Sequence, residues 1–369
     1  ESENGSNVLK VDATEIELTW DTAPVIDAVS DENINAAEIK ISAKTFGKSI
    51  SHNKPLSIKF NNIVFTFPPG AVNLPEGAED ITLTVTFLTE TDLPVGLKPA
   101  DAKGVSLIFD IQLTVDGKPV TSFEEPVKVT LDLANISNPD KTGVYYLNEQ
   151  NGSWVFMGGK VNENNTITFS TPHFSKFQAM ESTKTFSDIQ DHWAKEDIEI
   201  MAARHVTYGT GDNKFSPDRN ITRAEFTALI VRALNIAETT SENPFADVKS
   251  GDWFADAVLR ASAAEIVKGD GKGYFMPGNV ITREEMAAIV VRAYSYYTGK
   301  RAEQIITTQE IRFKDMDNAS DWARKSITLA DALGLMNGMP DKTFRPKNNA
   351  TRAEAIVVVK RLMKLLEIF

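Results

Sequence analysis

Three arginines stand in the same local setting, Ile221-Thr222-Arg223-Ala224-Glu225, Ile281-Thr282-Arg283-Glu284-Glu285 and Ala350-Thr351-Arg352-Ala353-Glu354. A guanidinium presents five N–H donors in a planar fork that suits a carboxylate. In each copy a Thr followed three residues later by Glu forms the capping box that starts a helix, so Thr222, Thr282 and Thr351 are expected N-caps. Arg223, Arg283 and Arg352 then occupy the first helical position, where the positive end of the helix dipole disfavours a cation. Three unfavourable placements predict a use, namely anion binding beside free N–H groups of a helix start. The competing accounts are solvation at the surface and an internal salt bridge with Asp188, Asp247 or Asp315.

Other residues recur at fixed distances from these arginines. Trp193, Trp253 and Trp322 each lie thirty residues before the arginine of their copy. Their indole faces suit the apolar side of a sugar ring, or they anchor one copy against another. Ahead of each Trp comes Phe-x-Asp, as Phe186-Ser187-Asp188, Phe245-Ala246-Asp247 and Phe313-Lys314-Asp315. The carboxylates read as caps or as groups that orient the arginines. Gly209, Gly269 and Gly338 read first as turn residues needing positive φ and second as points of close approach to a ligand. Phe215, Phe275 and Phe344 open a Phe-x-Pro segment.

The elements that position these residues follow from periodicity. After each cap the apolar residues fall at helical spacing: Phe226, Leu229, Ile230, Ala233 and Leu234; Met286, Ile289, Val290, Ala293 and Tyr294; Ala355, Val358, Val359, Leu362 and Met363. Each unit is thus expected to hold a helix from near the Trp, a glycine loop, the Phe-x-Pro segment and a capped helix buried on one face. The arginines are 60 and 69 residues apart, so nine extra residues sit between units two and three, placed within Tyr294 to Arg312. A unit this small cannot bury two helix faces alone, so the three are expected to share a core and to leave three equivalent clefts.

Residues 1–38 read as an opening segment or the tail of an upstream module, with a strand at Thr14–Trp20. Residues 39–180 alternate with period two, as in Leu56–Phe60, Ile81–Phe87, Ile111–Val115 and Val127–Leu131, and predict an all-β sandwich. Its turns are marked by Pro68-Pro69-Gly70, Asp116-Gly117, Asn151-Gly152 and Asn164-Asn165. Residues 181–369 form the repeat region, with units at about 184–236, 243–298 and 311–369. The fold class is therefore an all-β sandwich followed by an all-α, pseudo-threefold helical domain.

The chain of 369 residues carries a net charge of −12. Residues 1–180 hold 24 acidic and 13 basic residues, and no arginine precedes Arg204. Neither half has the basic surface that nucleic acid requires. No apolar run approaches the twenty residues of a membrane span, so no membrane insertion is expected. The opening residues lack the basic and apolar regions of a signal peptide, which points to a processed secretion signal or a piece of a longer chain. With no cysteine and four unclustered histidines, no metal site, cofactor or catalytic residue is expected.

Taken together, Phe-x-Asp, Trp, the glycine loop, Phe-x-Pro and Ile-Thr-Arg-Ala-Glu resemble the S-layer homology pattern, over about Phe186 to Phe369. The resemblance implies a pseudo-threefold helical domain that docks non-covalently to the secondary polysaccharide of a Gram-positive-type cell wall. It implies a grip on a pyruvylated N-acetylmannosamine end unit by the motif arginines and by groove-lining Trp, Asp and Gly residues. Three departures are visible: His205 and Glu265 where the third unit has Gly334, Thr-Arg-Glu-Glu in unit two, and Ala350 in place of Ile. The clefts are therefore not expected to bind equally. The function expected is non-enzymatic anchoring of an extracellular or S-layer protein to the wall, with any S-layer self-assembly left to other modules. The alternatives are a carbohydrate-binding or hydrolase-accessory role for the β-domain, and repeats that act as a protein assembly module.

Overall fold

The computed structural model describes residues 7–28, 34–61, 63–93, 97, 101–240, 242–301, 304 and 313–369. The chain divides into two compact units, residues 1–184 and 185–369.

The first unit is built from strands β1 (Val8–Ala13), β2 (Val25–Ala28), β3 (Ala36–Ser42), β4 (Leu56–Phe60), β5 (Ile63–Phe67), β6 (Asp80–Leu88), β7 (Ala102–Gly104) and β8 (Ile108–Val115). It continues with β9 (Lys118–Pro119), β10 (Val127–Asp132), β11 (Thr142–Asn148), β12 (Ser153–Gly158), β13 (Lys160–Val161), β14 (Thr166–Thr171) and β15 (Lys176–Ser182). Among the described residues these form two sheets. One runs β1-β3-β6-β8-β15-β11-β12, with β7 beside β15 and β9 beside β8; the other runs β13-β14-β10-β5-β4-β2. The period of two decides the packing: Leu56, Ile58, Phe60, Phe65 and Phe67 of one sheet and Ile81, Leu83, Val85, Ile111 and Leu113 of the other enter one buried core. Asp116 and Gly117, with φ of 48° and 73°, make the left-handed pair that turns β8 into β9.

Two features differ from the sequence reading. The first strand is Val8–Ala13, not Thr14–Trp20, because Thr14 folds back on Asp12 through both its N–H and its hydroxyl and ends the strand. β1 pairs in parallel with β3 and β2 in parallel with β4, so residues 8–28 are woven into both sheets. The β-region also contains a helix, α1 (Ala43–His52), capped by Ser42 and closed by Asn53 at φ 51°.

The second unit holds α2 (Lys195–Ala203), α3 (Arg223–Leu234), α4 (Ala255–Ala263), α5 (Arg283–Thr298), α6 (Asp321–Ala332) and α7 (Arg352–Leu365). Thr222, Thr282 and Thr351 cap α3, α5 and α7, with both halves of each capping box in place. These three helices touch one another, while α2 packs on α7, α4 on α3 and α6 on α5. Each repeat's first helix thus lies on the capped helix of the repeat before it, and the first repeat closes on the third. All three contribute to one continuous apolar core.

A cyclic set of backbone bonds closes the same ring. Ile221 N–H donates to Ala350, Ala350 N–H to Ile281 and Ile281 N–H to Ile221, each at 3.0 Å. Ala350 keeps this role without the isoleucine side chain, because the bond belongs to the backbone. α3 is covered on nearly every side, not on one face, since only Glu225 and Arg232 escape burial, whereas α7 keeps one open side at Glu354, Val357, Arg361 and Lys364. The three capped helices form the middle of the ring, where each touches the other two and one outer helix. α5 runs to Thr298 and absorbs part of the extra segment between units two and three. Residues 302–303 and 305–312 of that segment lie outside the described residues.

His205, Glu265 and Gly334 end the first helix of each repeat in the left-handed region, at φ 56°, 57° and 69°. Glycine is the unstrained choice there; a side chain costs about 1–2 kcal/mol, against about 0.5–1 kcal/mol of extra chain entropy for glycine. Glu265→Gly is therefore expected to raise the stability of the helical unit by about 0.5 kcal/mol, measured as a small upward shift of the urea midpoint; a downward shift would refute the account.

Candidate ligand grooves between the repeats

The motif arginines are buried, and each reaches into the following repeat. Arg223 donates through Nε to the carbonyl of Phe275 at 3.0 Å, through Nη2 to that of Lys268 at 3.1 Å and through Nη1 to Glu285 at 3.1 Å. Arg283 does the same with Phe344, Asn337 and Glu354 at 2.8, 2.9 and 3.1 Å. Arg352 closes the cycle on Phe215, Tyr208 and Glu225 at 3.0, 3.2 and 3.4 Å. Each guanidinium also lies over the ring of the phenylalanine whose carbonyl it holds, at 5.0, 4.9 and 4.5 Å. The salt-bridge partner is thus the capping-box glutamate of the next repeat, not Asp188, Asp247 or Asp315. One carboxylate oxygen of that glutamate accepts the cap N–H and the other faces the arginine, so helix initiation and ring closure share one side chain.

Burial lowers the pKa of Arg283 and Arg352 from the ordinary arginine value, with Glu354 and Glu225 opposing it, and both guanidiniums stay charged. Burial works to raise the Glu225 carboxyl, but hydrogen bonds from Arg219 and the Thr222 N–H carry it below its ordinary value. Three of the five N–H donors of each motif arginine are used. Two per residue have no partner among the described residues.

The helix starts themselves are not open anion sites. The first two N–H groups of α3 donate to the carbonyls of Asn279 and Pro277, those of α5 to Asn348 and Pro346, and those of α7 to Arg219 and Pro217. The third is taken by the Thr hydroxyl of the cap. The cost of a cation at the positive end of the dipole is offset by the carbonyls and the carboxylate that the long side chain reaches in the next repeat.

The Phe-x-Asp carboxylates brace the Phe-x-Pro segment of their own repeat. Asp188 accepts from Phe215 and Ser216, Asp247 from Phe275 and Met276, and Asp315 from Phe344 and Arg345, all at 2.7–2.8 Å. Ser216, Met276 and Arg345 are each left-handed, at φ 58°, 59° and 57°, so the carboxylate fixes a strained residue. Gly209, Gly269 and Gly338 do not have positive φ. A Cβ there would stand 2.7–2.8 Å from the carbonyl of Lys214, Tyr274 or Thr343 and 2.2–2.9 Å from the Phe-x-Asp ring. Close packing, not left-handed geometry, requires glycine. Glu284, the departure in unit two, accepts from the Ser320 N–H and hydroxyl and from Lys347, and so ties repeat two to repeat three.

Trp193, Trp253 and Trp322 are exposed to 67, 64 and 56 %, so they are not core anchors. Trp253 of repeat two lines a groove of about 560 Å³ with Arg352 of repeat three and Tyr208, Gly209, Glu225 and Arg232 of repeat one. Trp193 of repeat one lines a smaller groove, about 170 Å³, with Arg283 of repeat two and Met336, Asn337, Glu354 and Arg361 of repeat three. Each of these two grooves therefore draws on three repeats. Trp322 and the three Asp side chains line neither of these two grooves.

Arg232 and Arg361 were not singled out in the sequence, although Arg232, Arg292 and Arg361 all follow their motif arginine by nine residues. Each donates to the carbonyl at the start of the glycine loop, Val206, Ile266 or Leu335. Burial and then the charge of Arg223 lower the pKa of Arg292.

The S-layer homology domain family matches residues 185–227, 244–287 and 312–356. An amylopullulanase of Thermoanaerobacterium thermosulfurigenes is 39 % identical over 328 residues, 88 % of this chain and 17 % of that protein. An S-layer protein of Bacillus anthracis is 30 % identical over 183 residues, 49 % of this chain and 21 % of that protein. A cellulosome-anchoring protein of Acetivibrio thermocellus is 31 % identical over 154 residues, 41 % of this chain and 33 % of that protein. The chain thus spans between a sixth and a third of the length of these relatives. No described helix is long and apolar enough to cross a membrane. These matches place the chain outside the cell, in association with the wall or the S-layer. Its second unit is a set of three tandem S-layer homology domains.

Proposed function

We propose that the helical unit anchors the chain by binding an acidic polysaccharide of the cell wall, and that the group it grips is the carboxylate of a pyruvylated N-acetylmannosamine end unit. The observation that carries this reading is the meeting, in one groove, of an exposed indole, a buried guanidinium with spare donors and a second arginine, each fixed by a rigid helix or loop. A sugar ring laid on Trp253 would place an acidic substituent toward Arg352 and Arg232, where charge-assisted hydrogen bonds form away from bulk water. Asp188, Asp247, Asp315, Gly209, Gly269 and Gly338 serve this site by holding the loops and the Phe-x-Pro segments in place. Neither unit catalyses a reaction in this reading.

Because Trp253 is exposed, Trp253→Ala should leave the urea midpoint of the helical unit nearly unchanged, while retention by purified wall polysaccharide falls about tenfold, the loss of one aromatic anchor. Undiminished retention by Trp253→Ala, Trp193→Ala and the double variant would refute the reading. A carbohydrate-binding role for the β-unit would call for a row of exposed rings. None of its Phe, Tyr or Trp side chains is exposed among the described residues. We propose that the β-unit connects and spaces.

A further inference from the structure

The two grooves differ at one charged position. Four residues before the motif arginine stand Arg219, Asn279 and Asn348, so only the first repeat carries a cation there. Arg219 lines the larger groove and pairs with Glu225. That same Glu225 oxygen is the partner of Arg352.

In the smaller groove Glu354 faces Arg283 at 3.1 Å, with no second arginine among its ion pairs in the described residues. In the larger groove Arg352 stands 3.4 Å from a glutamate already held by Arg219. Arg219 therefore takes up the charge that would otherwise neutralise Arg352: two guanidiniums share the Glu225 carboxylate, and Arg232 is a third cation in the lining. The loops follow the same division: Thr207 and Thr210 line the larger groove where Met336 and Met339 line the smaller. One groove is spacious, polar and cationic; the other is narrow and more apolar.

We propose that the groove built on the loop of the first repeat is the site that selects a carboxylate-bearing sugar, and that Arg219 is the residue which confers this selectivity. The proposal rests on the polysaccharide-binding reading above and narrows it to one groove and one ligand class. Arg219 acts directly through its exposed guanidinium and indirectly by freeing Arg352 from Glu225. Sugars without an acidic substituent gain nothing from it.

The test is calorimetric titration of the full chain with a pyruvylated amino-sugar fragment and with the same fragment lacking the ketal. Arg219→Asn installs the residue that the other two repeats already carry, so the fold is retained; a urea melt verifies this. The variant should bind the pyruvylated fragment about tenfold more weakly, the loss of one charge-assisted hydrogen bond. Its affinity for the uncharged fragment should stay within twofold of the parent. Tight binding of the pyruvylated fragment by both parent and variant would overturn the role of Arg219 and leave the anchoring reading in place. Equal loss for both fragments would also overturn it, since Arg219 would then shape the groove without reading charge. A parent chain that binds neither fragment would sink the anchoring reading itself.

Discussion

Arg283→Ala is expected to cost the helical unit about 3–5 kcal/mol, the range for removing one partner of a buried ion pair. The substitution strips the carbonyls of Phe344 and Asn337 of a donor and leaves Glu354 without its cation. Set against a total stability of about 5–15 kcal/mol for an ordinary domain, this is a large share. Urea denaturation followed by the helix signal in circular dichroism measures it. Arg283→Lys should recover only part of the loss, because an ammonium cannot span three acceptors arranged for a planar fork. A loss below 1 kcal/mol for the alanine variant would show that the ring does not depend on this clasp. The same reasoning makes motif-arginine alanine variants poor probes of binding: reduced retention on the wall polymer would follow from a loosened ring whether or not the side chain meets the ligand.

The second large effect concerns the carboxylate brace. Asp188→Ala removes two charge-assisted bonds, to the N–H groups of Phe215 and Ser216, and releases a residue held in the left-handed region. About 3 kcal/mol is expected, below the full sum for two such bonds because the carboxylate is exposed to water. The brace also gives the unit a pH dependence. Burial works to raise the Asp188 pKa, but the bonds from Phe215 and Ser216 carry it below the ordinary value of 3.8. A depressed carboxylate contributes stability above its unfolded pKa, and that contribution is lost as pH falls through the folded value. Glu225, held below its ordinary 4.5, acts in the same direction. The urea midpoint of the helical unit should therefore hold at neutral pH and fall as the pH drops below about 4.5, with a weaker fall in Asp188→Asn. A midpoint that is flat or rises on acidification would contradict the brace.

The exposed tryptophans explain how one groove comes to need three repeats. The first helix of each repeat packs on the capped helix of the repeat before it, which carries Trp253 to the loop of the first repeat and Trp193 to the loop of the third. The motif arginines travel the other way around the ring, Arg352 to the first repeat and Arg283 to the third. A single repeat excised from this chain would therefore hold no complete groove.

Much of this was written in local sequence. The Thr-x-x-Glu boxes fixed where α3, α5 and α7 begin, since capping involves only four neighbouring residues. The thirty-residue spacing marked the repeats, and the alternation of Leu56–Phe60 and Ile81–Phe87 marked buried strands, because helix and strand periods are properties of the chain itself. What tertiary structure decided was every partner across repeats. Arg223, Arg283 and Arg352 find carbonyls and glutamates 45 to 144 positions away, and no local rule points to them. The parallel pairing of Val8–Ala13 with β3, the packing requirement at Gly338 and the sharing of Glu225 between Arg219 and Arg352 are likewise contacts between distant segments. Short-range preferences set where each element starts and which face is apolar. Which cation meets which carboxylate, and hence which groove is left with charge to spare, is set only when the ring closes and water is expelled from it.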